Sequence, residues 1–75
     1  MSKFTDLLKE KREEKRMLKR DVANYFDWGP MYYGRFENGQ VTPKGLNIKK
    51  FADFLEISEE QLIKILEEDE KTKVH

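Results

Sequence analysis

Seventy-five residues with no cysteine, one histidine and a net charge of zero restrict this chain to one domain with one small core, without a disulfide staple or a thiolate metal site. The single histidine, His75, stands last in the sequence, where a side chain is too mobile to hold a catalytic or metal-binding geometry. No apolar run approaches the roughly 20 residues that span a bilayer, and Met1-Ser2-Lys3-Phe4-Thr5-Asp6 turns polar too soon for a signal peptide, so a cytoplasmic protein with no membrane association, metal or cofactor is expected.

Phe4, Leu7, Leu8 and the stem of Lys11 keep the i, i+3, i+4, i+7 spacing, which predicts a first helix over residues 2–15 with a charged outer face. Glu10, Glu13 and Glu14 give its bases i,i+4 partners, so the run from Lys9 to Arg16 reads as a solvated face and not as a membrane-seeking or calmodulin-binding helix. Val22, Ala23 and Phe26 form a short stripe that predicts a second helix over 19–26. Asp27-Trp28-Gly29-Pro30 breaks the pattern, and Pro30 suits the first position of a third helix over 30–38. Tyr33 and Phe36 are its inward face and Gly39 its left-handed stop.

Residues 40–43 then form a loop. Ile48, Phe51, Ala52 and Leu55 repeat the helical spacing, and Ser58-Glu59-Glu60-Gln61 is a capping-box pattern that opens another stripe at Leu62, Ile65 and Leu66. The fold class is all-α, five helices in one domain over residues 1–66. The charged stretch 67–75 has no apolar face and is expected to fray.

The zero net charge conceals a division. Residues 1–50 hold twelve basic and seven acidic side chains, a net of +5, and residues 51–75 hold −5. A polyanion is attracted to the first part and avoids the second. Enzyme chemistry finds little footing. Gly29, Gly34, Gly39 and Gly45 do not make a phosphate-loop pattern, and neighbouring acids such as Glu59-Glu60 and Glu67-Glu68 point different ways around a helix.

Two short helices joined by a tight turn, followed by Glu37-Asn38-Gly39 and Pro43, are the informative stretch. Residues 4–66 resemble the lambda-repressor-like, Cro-type helix-turn-helix domains of phage repressors and xenobiotic-response-element regulators. The resemblance rests on Met17-Leu18-Lys19, Val22-Ala23, Asp27-Trp28-Gly29, Glu37-Asn38-Gly39 and Pro43, with Leu55-Glu56-Ile57-Ser58 at the later corner. There are departures. Asp27 and Glu56 replace corner glycines, Arg16 stands where glycine is frequent, and Leu18 and Lys19 replace a serine and a glutamine. Leu18 is a poor cap that costs about 1 kcal/mol against serine, so packing must hold the second helix.

The resemblance implies that the third helix enters the major groove of DNA, with Pro30, Met31, Tyr32, Gly34 and Arg35 facing outward toward base edges. Arg35 is the residue able to bind guanine with two hydrogen bonds, while Met31 and the Tyr32 ring suit thymine methyl groups. Gly34 allows close approach. Met31 and Tyr32 are also open to a core role, and Trp28 reads as core. Phosphate contacts are expected from Lys19, Asn38, Gln40, Thr42 and Lys44, together with backbone N–H groups of the loop after Gly39. The resemblance also implies an ion pair between Arg12 and Glu37 that positions the third helix.

The expected function is therefore that of a transcriptional repressor. It binds double-stranded operator DNA as a two-fold homodimer, with exposed apolar residues such as Ile63 supplying the interface. The rival reading is a protein-interaction module on the same fold, gripping a protein partner through Trp28, Met31 and Tyr32. An antitoxin that binds both DNA and a toxin has the same sequence signature.

Overall fold

Leucine and phenylalanine at helical spacing fold this chain into five α-helices, seen in a computed structural model that describes residues 2–72. They are α1 (Lys3–Glu14), α2 (Lys19–Tyr25), α3 (Pro30–Glu37), α4 (Leu46–Leu55) and α5 (Glu59–Thr72). The described residues include no strand. α2 packs on α3, α1 on α5, and α4 on α5, while α1 also touches α3 and α4.

The core is largely aromatic. The Phe51 ring of α4 meets Phe4 edge-on at 5.3 Å and lies 5.1, 5.0 and 5.5 Å from Phe26, Phe36 and Trp28. Such tilted and edge-on arrangements match the positive ring edge to the negative face of a neighbour and add to the burial energy. Leu8, Val22, Ala23, Tyr33 and Leu62 are fully buried beside these rings, with Ala52, Phe54 and Leu55 also in the core.

Four of the helices stop in one way. In each, the residue after the last turn is left-handed, and its own N–H and that of the following residue fold back onto the final carbonyls. At the end of α1, Arg16 (φ 57°) donates to the Glu13 carbonyl and Met17 to that of Arg12. Asp27 (φ 63°) with Trp28, Gly39 (φ 77°) with Gln40, and Glu56 (φ 60°) with Ile57 repeat this after α2, α3 and α4. Only Gly39 is free of the Cβ penalty of this conformation. The Glu56 side chain pairs with Lys15 at 2.9 Å and Lys11 at 4.0 Å. The three substitutions at glycine-favouring corners thus keep the glycine-like backbone.

The starts of the helices differ. Ser58 and Gln61 make the expected capping box: the Gln61 N–H donates to Ser58 Oγ at 3.1 Å and the Ser58 N–H to Gln61 Oε1 at 3.0 Å. Leu18 offers no acceptor, yet the Asp21 carboxylate accepts from the Leu18 N–H at 2.8 Å. Half a box therefore supports α2 alongside its packing.

The C-terminal helix runs on past its apolar residues. α5 does not stop with its apolar stripe at Leu66 but continues to Thr72. There it meets α1, whose first N–H groups have no intrahelical partner. The Asp69 carboxylate accepts from the Lys3 and Phe4 N–H groups at 2.8 and 3.0 Å, and Lys3 Nζ pairs with Glu68 at 2.8 Å. A tertiary contact thus joins the last turns of α5 to the start of α1. Residues 73–75, the rest of the expected frayed stretch, lie outside the described residues.

Candidate nucleic-acid interface

α3 begins where Gly29 and Pro30 place a proline at the first helical position and ends on Glu37. Its inner face carries Tyr33, Phe36 and Glu37, all buried. Two ring stacks seat it: Trp28, in the preceding turn, stacks on Phe26 at 4.6 Å and on Phe36 at 5.4 Å. The Lys50 ammonium of α4 stands 5.6 Å above the Trp28 ring, a cation–π contact. Trp28 is thus half-buried and engaged on the inside, as its core reading expects.

Glu37 fixes the far end of α3. Its carboxylate, with no exposed side-chain surface, accepts from Arg12 Nε at 2.9 Å and Nη2 at 3.1 Å, and from the Tyr33 hydroxyl at 2.7 Å. Arg12 Nη1 donates to the Met17 carbonyl at 3.1 Å, so one guanidinium ties α1, the corner after it and α3. The hydrogen bond to Glu37 raises the Arg12 pKa above its ordinary value. Burial first, and then the hydrogen bond to Glu37 and that carboxylate's charge, push the Tyr33 phenol up. A buried charge of this kind is stable only when fully partnered; among the described residues no buried side-chain nitrogen or oxygen lacks a hydrogen bond.

The outer face of α3 is different in kind. Pro30, Met31, Tyr32 and Arg35 are exposed and Gly34 is half-exposed. Met31 is 80% exposed, which settles its core-or-surface question for the surface. Met31, Gly34 and Arg35 share one helical face. A Cβ added at Gly34 would meet no protein atom within 4 Å, so nothing inside the protein demands glycine there. Lys19 opens α2, Asn38 caps α3, and Gln40, Thr42 and Lys44 follow in the loop; all five side chains are exposed.

The expected backbone donors of that loop are partly withdrawn. The Gln40 and Val41 N–H groups both donate to the Arg35 carbonyl, at 2.9 and 3.3 Å. They close the end of α3 and are not free for a phosphate.

Several residues near this face were not legible in the sequence. Leu46, the first residue of α4, is 80% exposed, and Asn47 beside it donates from Nδ2 to the Tyr32 hydroxyl at 3.3 Å. Lys50 joins Trp28 as described. All three come from α4, and no local spacing signals that Asn47 meets α3 or that Lys50 meets the turn before it.

Among the described residues no helix is long and apolar enough to cross a membrane, and no cluster of histidine, cysteine, aspartate and glutamate could hold a metal ion.

A short helix, a left-handed corner at Asp27 and a second helix with a buried inner and an open outer face make α2 and α3 a helix-turn-helix unit. A helix-turn-helix family model matches residues 8–62, and the chain belongs to this Cro-type, lambda-repressor-like family of DNA-binding regulatory domains. No curated protein and no solved structure matches the chain at a significant level.

Proposed function

We propose that this protein is a sequence-specific transcriptional repressor of the cytoplasm that binds operator DNA as a two-fold homodimer and excludes other proteins from the site. The observation that carries the reading is the two-sidedness of α3. Tyr33, Phe36 and Glu37 are consumed by the core, while Met31 and Arg35 are exposed and Gly34 is half-exposed on the opposite face. Arg35 makes a two-pronged contact to guanine, Met31 lies against thymine methyl groups, and Gly34 lets the duplex approach closely. Lys19, Asn38, Gln40, Thr42 and Lys44 supply side-chain contacts to phosphates.

Selection of bound sequences from random duplex DNA tests this. Enrichment of an inverted repeat with half-sites one helical turn, about 34 Å, apart is expected. The exposed Met31 and Tyr32 also support the rival reading, in which this face grips a protein partner. Absence of any enriched sequence at low salt decides for that rival.

A further inference from the structure

Tyr32 is 40% exposed, yet its ring is held. It stands edge-on to Trp28 at 4.9 Å and to Phe36 at 5.2 Å, so the hydroxyl is presented at one place on the surface of α3. There the half-buried Asn47 of α4 donates its amide N–H to the phenol oxygen at 3.3 Å. A phenol has one proton to give and also accepts. With Asn47 as donor, the oxygen is engaged as an acceptor, and among the described residues the phenol proton meets no protein acceptor. Accepting one hydrogen bond also strengthens the one it donates.

Building on the reading of α3 as the DNA-facing helix, we propose that Asn47 is a positioning residue for DNA recognition. It holds the Tyr32 hydroxyl from the protein side, and the phenol proton is donated to an acceptor atom of the duplex. That acceptor is a phosphate oxygen or a base-edge acceptor in the major groove, such as guanine O6 or N7, adenine N7 or thymine O4; the amino group of cytosine does not fit. Because the contact is neutral, it displaces no counterion and leaves the salt dependence of binding unchanged. This sets it apart from a lysine contact and adds to the thymine-methyl role of the ring.

The test uses the full chain and the selected operator, with Tyr32→Phe, Asn47→Ala and the double variant. Tyr32→Phe keeps the ring and its packing, so folding is preserved while the hydroxyl is lost. Each single substitution is expected to weaken binding about five- to tenfold per half-site, the usual size of one lost hydrogen bond. The double variant is expected to be no weaker than Tyr32→Phe, with an unchanged slope of log K against log salt. Equal loss on every single-base variant of the operator identifies a phosphate oxygen as the acceptor; loss of preference at one base pair identifies a base edge. The proposal is overturned if Tyr32→Phe binds like the parent, or if the double variant loses the product of the two single losses. Arg35→Ala separates the two levels. If it weakens binding while Tyr32→Phe does not, only this inference fails; if both are silent and selection enriches nothing, the DNA reading fails with it.

Discussion

Arg12, in the last turn of α1, grips both oxygens of Glu37, the last residue of α3, at 2.9 and 3.1 Å. The pair holds the end of α3 against α1. Its Arg12 side chain is 15% exposed and its Glu37 side chain 0%, so solvent screens it little. Arg12→Ala strands a buried carboxylate, and the expected loss is about 3 kcal/mol, the low end for a broken buried pair. For a domain of this size the melting temperature falls by more than about 10 °C. Arg12→Lys recovers only part, since a single ammonium cannot copy the fork. An unchanged melting temperature in Arg12→Ala excludes the positioning role.

Tyr33 gives that network a pH dependence whose sign is determined by its raised pKa. The ordinary phenol value is 10.0, and the folded value lies above it. The folded chain therefore keeps a proton that the unfolded chain loses. This contribution to stability is complete below about pH 10 and is lost progressively as the pH rises beyond it. Denaturant titrations at stepped alkaline pH should show the decline in the parent and a shallower one in Tyr33→Phe. The variant starts about 1 kcal/mol less stable at neutral pH, since Glu37 loses one donor. Parallel pH profiles would remove Tyr33 as the source.

Gly34 separates folding from binding. The protein has room for a methyl group there, and alanine is the better residue inside a helix by about 0.5–1 kcal/mol. Gly34→Ala is expected to raise the melting temperature by a few degrees and to weaken operator binding, since the methyl occupies space the duplex uses. A variant that is more stable and binds equally well shows that the duplex does not come close at this position.

Arg35 and Lys19 should fail in different ways. Losing the guanine contact of Arg35 costs about 1–3 kcal/mol and relaxes base choice at one position per half-site. Losing a phosphate contact of Lys19 weakens all sequences alike and reduces the salt slope by about 0.9 per contact. Salt titrations of Arg35→Ala and Lys19→Ala on the operator and its single-base variants distinguish them. Full discrimination retained in Arg35→Ala contradicts the assignment of α3.

Asp69 makes the last turns of α5 part of the folded unit, which we propose extends beyond residue 66. Asp69→Ala removes two hydrogen bonds from the first N–H groups of α1 and is expected to cost about 1 kcal/mol, as a lost helix cap does. Amide exchange at Lys3 and Phe4 should rise with it. Unchanged exchange at both would show that solvent caps α1 equally well.

The sequence by itself determined the helices and their punctuation, because both are local. Apolar residues three and four apart define a stripe within one or two turns, Pro30 and Ser58 mark starts, and Gly39 marks a left-handed stop. The family resemblance likewise brought Arg12 together with Glu37, which spacing alone does not reveal. Tertiary structure decided what depends on which helix lies beside which. Asp69 joins the end of α5 to α1 only because α1 presents unpaired N–H groups to it, and the stretch carries no apolar face to announce itself. Asn47 reaches Tyr32 only because α4 packs beside α3, and Trp28 is held inside by its stacks on Phe26 and Phe36 while Met31 is 80% exposed. Hydrogen bonds and ring contacts between distant segments are short-ranged, so they exist only once packing has brought those segments within reach.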